Sequence, residues 1–455
     1  MTAESPDVMF GAPRGRLVAH PVAGLAGTIH RPFFTAAIIA ILTVGASWGV
    51  LILWRIGFAQ NFTTVSALEI NAHGHAQISG WVSLFMMGFG YRAFPHVWRT
   101  TLVAPRLAVA VFVAMLVGIT SATLGMGIAG SPAAVPLAMA GGGLELVAIA
   151  VCAAQLMLTS RRGAGAQPFT AFVIVALGWF VIQAAFGLWH TWNTMTATGD
   201  DLIWYVATYQ APLRDLQVHG LAMTMILGVS TIVLPRVFGR PPVPARRGRW
   251  TLILLTLAVA GETTLFVLYR LLDNHWLAAL LLVPWLMLTL AAAMIAVPWR
   301  LWRALPRDDG RSGRFVRAAY AWLAVSLTML ILMPVYQAVS GIAFSHAYYG
   351  AIRHAITVGF VSLMIVGMSS RVVAALHPRP KRQLPGLRAP FLLINLGCFL
   401  RVTLQTLTDW NPAYYAVVGI SGLLELTGLA WWGVGLIRQM SRGRAAEPAQ
   451  RHTVA

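Results

Sequence analysis

Twelve predominantly apolar stretches, each close to the ~20 residues a helix needs to cross a bilayer, constrain this chain more than any other feature. They run over approximately 32–54, 73–95, 102–126, 136–158, 168–190, 214–236, 250–270, 277–299, 315–338, 350–372, 389–407 and 413–436. With 58% hydrophobic and 10% charged residues in 455, the chain has too little polar surface to cover a soluble globule. The expected fold is all-α, a polytopic membrane bundle of about twelve transmembrane helices. The first run is longer than the core of a signal peptide and lacks a small-residue cleavage site, so it is read as a retained span. Cys152 and Cys398 both fall inside apolar runs without metal or haem-attachment spacing and are read as buried thiols.

Charge supports the same count. The formal charge of +19 is distributed as short basic tracts between apolar runs, a pattern for bilayer topology and not for nucleic acid. Alternate connections are basic, for example Arg161 with Arg162, the tract from Arg236 to Arg249, and Arg300 to Arg314, whereas GIAGSPAAVP, TATGDD and LLDN between them are neutral or acidic. Arg14, Arg16 and Arg31 precede the first span, and Arg438, Arg442 and Arg444 follow the last. The positive-inside rule then puts both termini in the cytoplasm of a multi-pass protein of the bacterial inner membrane.

An internal repeat divides the spans into fours. The second, sixth and tenth read HAQISGWVSLFMMGFGYR from His75, HGLAMTMILGVSTIVLPR from His219 and HAITVGFVSLMIVGMSSR from His354, each with an arginine 17 residues after its histidine. That spacing covers roughly 25 Å of helix, placing the histidine near the outer face and the arginine at the inner interface. Three pseudo-symmetric four-helix units are expected at 32–160, 161–312 and 313–437, between a cytoplasmic segment 1–31 and a tail 438–455.

Inner-end arginines need no functional role, but ionisable groups at the depth of the histidines are costly and tend to mark function. His73, His190 and His346 join His75, His219 and His354 on the outer side as candidate metal ligands, and neutral imidazole suits iron, copper or zinc. His73 and His75 point about 200° apart on a helix, so they would serve different centres. Arg214, Arg353 and Arg401 break the inside rule by standing at outer ends; they suit either the carboxylates of a tetrapyrrole or protein acids such as Asp215 and Asp409. Glu145, Glu262 and Glu425 lie midway along their spans, Glu145 and Glu425 in the near-identical contexts GGLELVAIA and GLLELTGLA. Proton relay and interhelical hydrogen bonding are equally open to them.

The stretch IRHAITVGFVSLMIVGMSSRVVAALHPRP, from Ile352 to Pro380, resembles the signature of the NnrS family, haem- and copper-containing membrane proteins of the bacterial nitric oxide response. After Arg371 the chain departs from that pattern, with AALHPRP, including His377, where a Gly-His-Thr-Gly stretch is expected. More distantly the chain is similar to the catalytic subunits of haem-copper oxidases and nitric oxide reductases. That similarity implies low-spin haem ligation by His75 or His73 with His354, and a second metal at His219. The seventh span has no His-His pair and the tenth no His-x-His, so oxygen reduction and proton pumping are not implied.

The resemblances imply a haem b protein with copper as the candidate second metal. It would bind or react with nitric oxide or a related nitrogen oxide in nitrosative stress or denitrification, as a haem or metal oxidoreductase if it turns over. Its partners would be the lipid bilayer, the small gaseous ligand and an electron donor that the sequence does not identify. The alternative is a proton-coupled secondary transporter using Glu145, Glu262 and Glu425, although a threefold histidine register is foreign to transporter repeats.

Overall fold

A computed structural model describes residues 25–303, 311–376 and 386–445, and these are helical with short connections. The principal helices are α1 (His30–Ala59), α2 (67–97), α3 (Leu107–Gly127), α4 (Ala134–Arg162), α5 (Phe169–Thr196) and α6 (Gly199–Val237). They continue as α7 (Ala245–Leu272), α8 (His275–Trp299), α9 (Ser312–Ile331), α10 (His346–Ala375), α11 (Arg388–Leu407) and α12 (Tyr414–Ala445). Eleven helices among the described residues are long and apolar enough to cross a membrane. The twelfth expected span, α2, falls outside that number, with Glu69, Asn71, His73, His75 and Gln77 in its first half and several glycines and serines with Arg92 and Pro95 in the remainder. Cys152 and Cys398 are buried free thiols.

Several expected boundaries move for local reasons. TATGDD is not wholly a loop: Gly199, Asp200 and Asp201 form the first turn of α6, where acidic side chains favour the positive end of the helix dipole. The predicted ninth span stops at Ile331, and a separate two-turn helix, Met333–Ser340, restarts with Pro334 in its first turn, where a missing N–H costs nothing. His346, expected in a connection, opens α10 behind Ser345, whose hydroxyl accepts from the Tyr348 N–H at 2.8 Å.

The helices fall into two shells. In α6 and α10, 83% and 78% of the most apolar window is buried, against 33–50% for the nine other qualifying helices. Residues 78–85 of α2 are buried without interruption, so α2, α6 and α10 form the inner shell. The outer helices present large apolar side chains outward, among them Leu116, Val147, Ile182, Leu257, Leu290, Phe399 and Ile420. Such a surface suits lipid and would be a liability in water.

Each inner helix carries an eight-residue π segment: Ala76–Ser83, Leu216–Met223 and Ala355–Ser362. Glycine occupies the fifth position of each, at Gly80, Gly220 and Gly359, and recurs eight residues later at Gly88, Gly228 and Gly367. A Cβ at the second set would lie 2.6, 2.5 and 2.8 Å from the Cβ of Phe33, Phe172 and Phe315 on α1, α5 and α9. The first set faces Ala40, Trp179 and Trp322 on the same three helices in the same way. Small residues let helix backbones approach closely in a bilayer, and here one close approach is built three times. In the first and third groups of four, the equivalent pairs Gly118 with Glu145 and Gly397 with Glu425 also coincide, each missing Cβ falling 2.7 Å from the glutamate Cγ.

The π register revises one sequence expectation. His75 and His354 both stand immediately before their π segments, but the equivalent residue in α6 is Asp215, and His219 lies one turn further along. The shared 17-residue spacing arose because Arg236 is displaced by the same turn relative to Arg92 and Arg371.

Three polar contacts close the inner shell into a triangle. Arg214 of α6 donates to Asn71 Oδ1 of α2 at 3.0 Å, Arg353 of α10 donates to Asp215 Oδ1 of α6 at 2.5 Å, and Trp81 of α2 donates to Ser362 Oγ of α10 at 3.1 Å.

Candidate functional site

The first candidate centre lies on the α2 side of α10. His73 Nδ1 is 3.0 Å from the Gly45 carbonyl of α1, and His354 Nδ1 is 2.9 Å from the carbonyl of Gly350 in its own helix. A carbonyl only accepts, so each Nδ1 carries the proton and each neutral ring keeps its Nε2 lone pair for a ligand. Backbone geometry supplies the first acceptor. A five-residue π segment, Ile41–Gly45, interrupts α1's regular ladder, and Gly45 adopts ψ −100°, turning its carbonyl out toward His73. Gly49, one turn on, leaves the imidazole room, since a Cβ there would sit 2.7 Å from His73 Cε1.

The two rings lie within electrostatic reach of each other, and both within reach of Arg401 on α11. Arg401 is buried, and its Nε and Nη1 find no hydrogen-bond partner. Leaving donors of a buried cation unmade is expensive, more so than for neutral groups; Glu425 on α12 lies within electrostatic reach of this guanidinium, yet the two unmade donors leave it able to take a further anionic group.

His75 faces elsewhere, as its 200° offset requires. Its Nδ1 is 3.0 Å from Thr123 Oγ1 on α3, and its Nε2 lies 2.8 Å from Glu145 Oε1 on α4, outside hydrogen-bonding geometry. Both ring nitrogens thus meet protein groups of the first four helices. His73 differs from His75 in that, among the described residues, its second ring nitrogen has no protein hydrogen-bond partner.

A second cluster lies on the α6 side. His219 Nδ1 is 2.7 Å from Glu262 Oε1 on α7 and 4.0 Å from Asp215 Oδ1 on its own helix. Among the described residues, these three side chains form the group whose potential ligand atoms converge, all within 4.8 Å of one another and all buried. Arg353 pairs with Asp215, donates to Tyr349 Oη at 2.5 Å and rests over the Tyr349 ring, 4.8 Å from its centroid.

The remaining candidates are scattered. His190 on α5 is buried against Tyr205, ring centroids 5.7 Å apart, with Nε2 unpartnered. Exposed His346 packs edge-on to Phe344, ring centroids 5.1 Å apart, and is not in the group of converging ligand atoms. Arg214 donates to Gln217 and Asn71 and fills the space above Gly74, where a Cβ would lie 2.7 Å from Arg214 Nη2. Of the two acids considered for the outer arginines, Asp215 takes Arg353, whereas Asp409 accepts the hydroxyls of Tyr336 and Ser345. Burial raises the Tyr336 phenol above its ordinary value, and the bond to Asp409 adds to the shift, so it stays a donor there. His377 lies outside the described residues.

Asp215 as a potential ligand, Thr123 as a partner of His75 and Gly45 as an anchor for His73 were not apparent from the sequence. The glycine pairs eight residues apart, aligned across the three helices, were the signal that would have exposed the register and with it Asp215.

No curated protein matches the chain. Among protein-family profiles, the one described as NnrS protein matches residues 25–444, which is nearly the whole chain. With its multi-pass helical bundle, the chain belongs to the NnrS family of membrane proteins.

Proposed function

We propose that this chain is a haem-binding protein of the bacterial inner membrane, with a second metal centre, that binds or reacts with nitric oxide or a related nitrogen oxide. The observation that carries the reading is the pair His73 and His354, both held through Nδ1 by backbone carbonyls beside a buried arginine with unused donors. That donor set fits a haem b: His73 and His354 would hold the iron, and Arg401 would take a propionate. Haem iron in such a setting supplies one-electron chemistry. If His73 and His354 both hold the iron, a diatomic ligand would be taken by the second metal. Nitric oxide partitions into lipid, so a site among buried helices needs no polar channel. Family membership supports a place in the nitric oxide response, and the basic tracts between spans support cytoplasmic termini. The acids that a transporter reading needs are placed beside His75, His219 and Arg401, an arrangement that serves metal centres as directly as proton coupling.

The optical spectrum of detergent-purified protein tests this. A Soret band is expected, lost in His73→Ala and His354→Ala and retained in His75→Ala. Purified protein without the band, or a band indifferent to His354→Ala, refutes the haem assignment.

A further inference from the structure

We propose that Asp215, His219 and Glu262 bind the second metal, and that it is a divalent first-row ion of the iron, manganese or zinc type and not copper(I). The inference rests on reading the chain as a metalloprotein, but it does not depend on which histidines hold haem.

Geometry comes first. Ligand atoms bound to such an ion at ~2.0–2.2 Å stand roughly 3.0–3.4 Å apart when adjacent. Here the 2.7 and 4.0 Å separations from His219 Nδ1, and the 4.8 Å limit on the whole group, bracket that range, so small side-chain adjustments close the site. The backbone prepares it. His219 lies inside the π segment Leu216–Met223, whose widened turn brings it to the same side as Asp215 and toward α7; π turns are frequent at functional sites. Thr224 Oγ1 donates to the His219 carbonyl at 3.1 Å, supporting the altered ladder five residues back.

Charge and hydrogen bonding supply independent arguments. Arg353 offsets Asp215, but among the described residues no arginine or lysine pairs with Glu262, which is only 2% exposed. Its Oε2 has no hydrogen-bond partner. Arg353 acts on Glu262 only from a distance and His219 meets one of its two oxygens; a buried carboxylate so incompletely paired is costly, and a cation between Glu262, His219 and Asp215 would offset the cost. One imidazole with two carboxylates is a hard, oxygen-rich donor set, whereas copper(I) selects thiolate and thioether sulfur. Cys398 lies against the His354 carbonyl and Cys152 on α4, so neither thiol joins this group. Three protein ligands leave positions open for a small molecule.

The test uses full-length protein in detergent. Its metals are quantified, then removed with a chelator, and Mn2+ binding is followed by the loss of the free-ion electron paramagnetic resonance signal, with Cu+ competition in parallel. About one non-haem divalent ion per chain is expected, with Mn2+ affinity lowered at least tenfold in Asp215→Asn and in Glu262→Gln. Both substitutions conserve side-chain shape, and an unchanged Soret band and elution position confirm that the variants fold; reading two variants keeps the test decisive if one does not. Wild-type protein that takes up no divalent ion, where a proton on Glu262 would suffice, overturns the proposal. So do Mn2+ binding indifferent to both substitutions and a site that accepts Cu+ while excluding Mn2+. His73→Ala separates the two readings: it should abolish the Soret band and leave Mn2+ binding intact, and a chain that binds Mn2+ without ever showing haem would sink only the haem assignment.

Discussion

The two sides of α10 differ in kind although a single residue step separates them. Consecutive positions on a helix point about 100° apart, so His354 turns toward α2 and Arg353 toward α6. On the α2 side the contacts between the inner helices are neutral, imidazoles anchored on carbonyls with Trp81 bridging to Ser362, and the one cation near them, Arg401, comes from α11. The α6 side is charged, with Arg353 on Asp215 and His219 on Glu262. The same eight-residue π segment underlies both, so the backbone device fixes where a residue stands and the side chain alone decides what the place can hold. One helix thereby borders a site suited to iron between nitrogens and another suited to a cation among oxygens.

Three perturbations probe that contrast. Breaking the charged side should cost most. Arg353→Ala leaves Asp215 buried without its partner, and thermal unfolding in detergent should show a loss of about 3–5 kcal/mol, largely recovered when Asp215→Asn is added. A loss for Arg353→Ala no larger than that for the α2-side substitutions would show that the contrast is not one of charge. Gly49→Ala should act on the neutral side alone. Its new Cβ, 2.7 Å from His73 Cε1, forces the ring to move, costing about 1–3 kcal/mol and lowering the Soret-to-protein ratio while divalent-ion binding at His219 is unaffected. Parallel loss of both centres would mean that they are not separable. Trp81→Phe removes one neutral hydrogen bond between α2 and α10; about 1 kcal/mol or less is expected, with neither centre altered.

Much of this was legible in the sequence, because a bilayer leaves few solutions for backbone polar groups. Hydropathy located every span to within a turn or two, with the start of α6 the largest exception: its first half carries too many polar residues to register as apolar. Glu145 and Glu425 were seen to share a context, and each packs against a glycine of the preceding helix, Gly118 and Gly397. The register of α6 was hidden. Histidine and arginine were displaced together by one turn, so their spacing stayed constant while their depth changed, and π geometry leaves no trace in hydropathy. The division of labour between His73 and His75 was hidden too, because Gly45 and Thr123, which separate them, lie on other helices and are distant in sequence.

Gly74 shows how the threefold pattern is broken by omission. Counting from the π segments, its equivalents are Arg214 and Arg353, yet the space a side chain at 74 would need is filled by the Arg214 guanidinium. Three matching berths therefore carry two cations, and the third must stay bare for its neighbour to lie flat. Three identical four-helix units could not be packed this way, because an arginine at every berth would fill the space its neighbour needs.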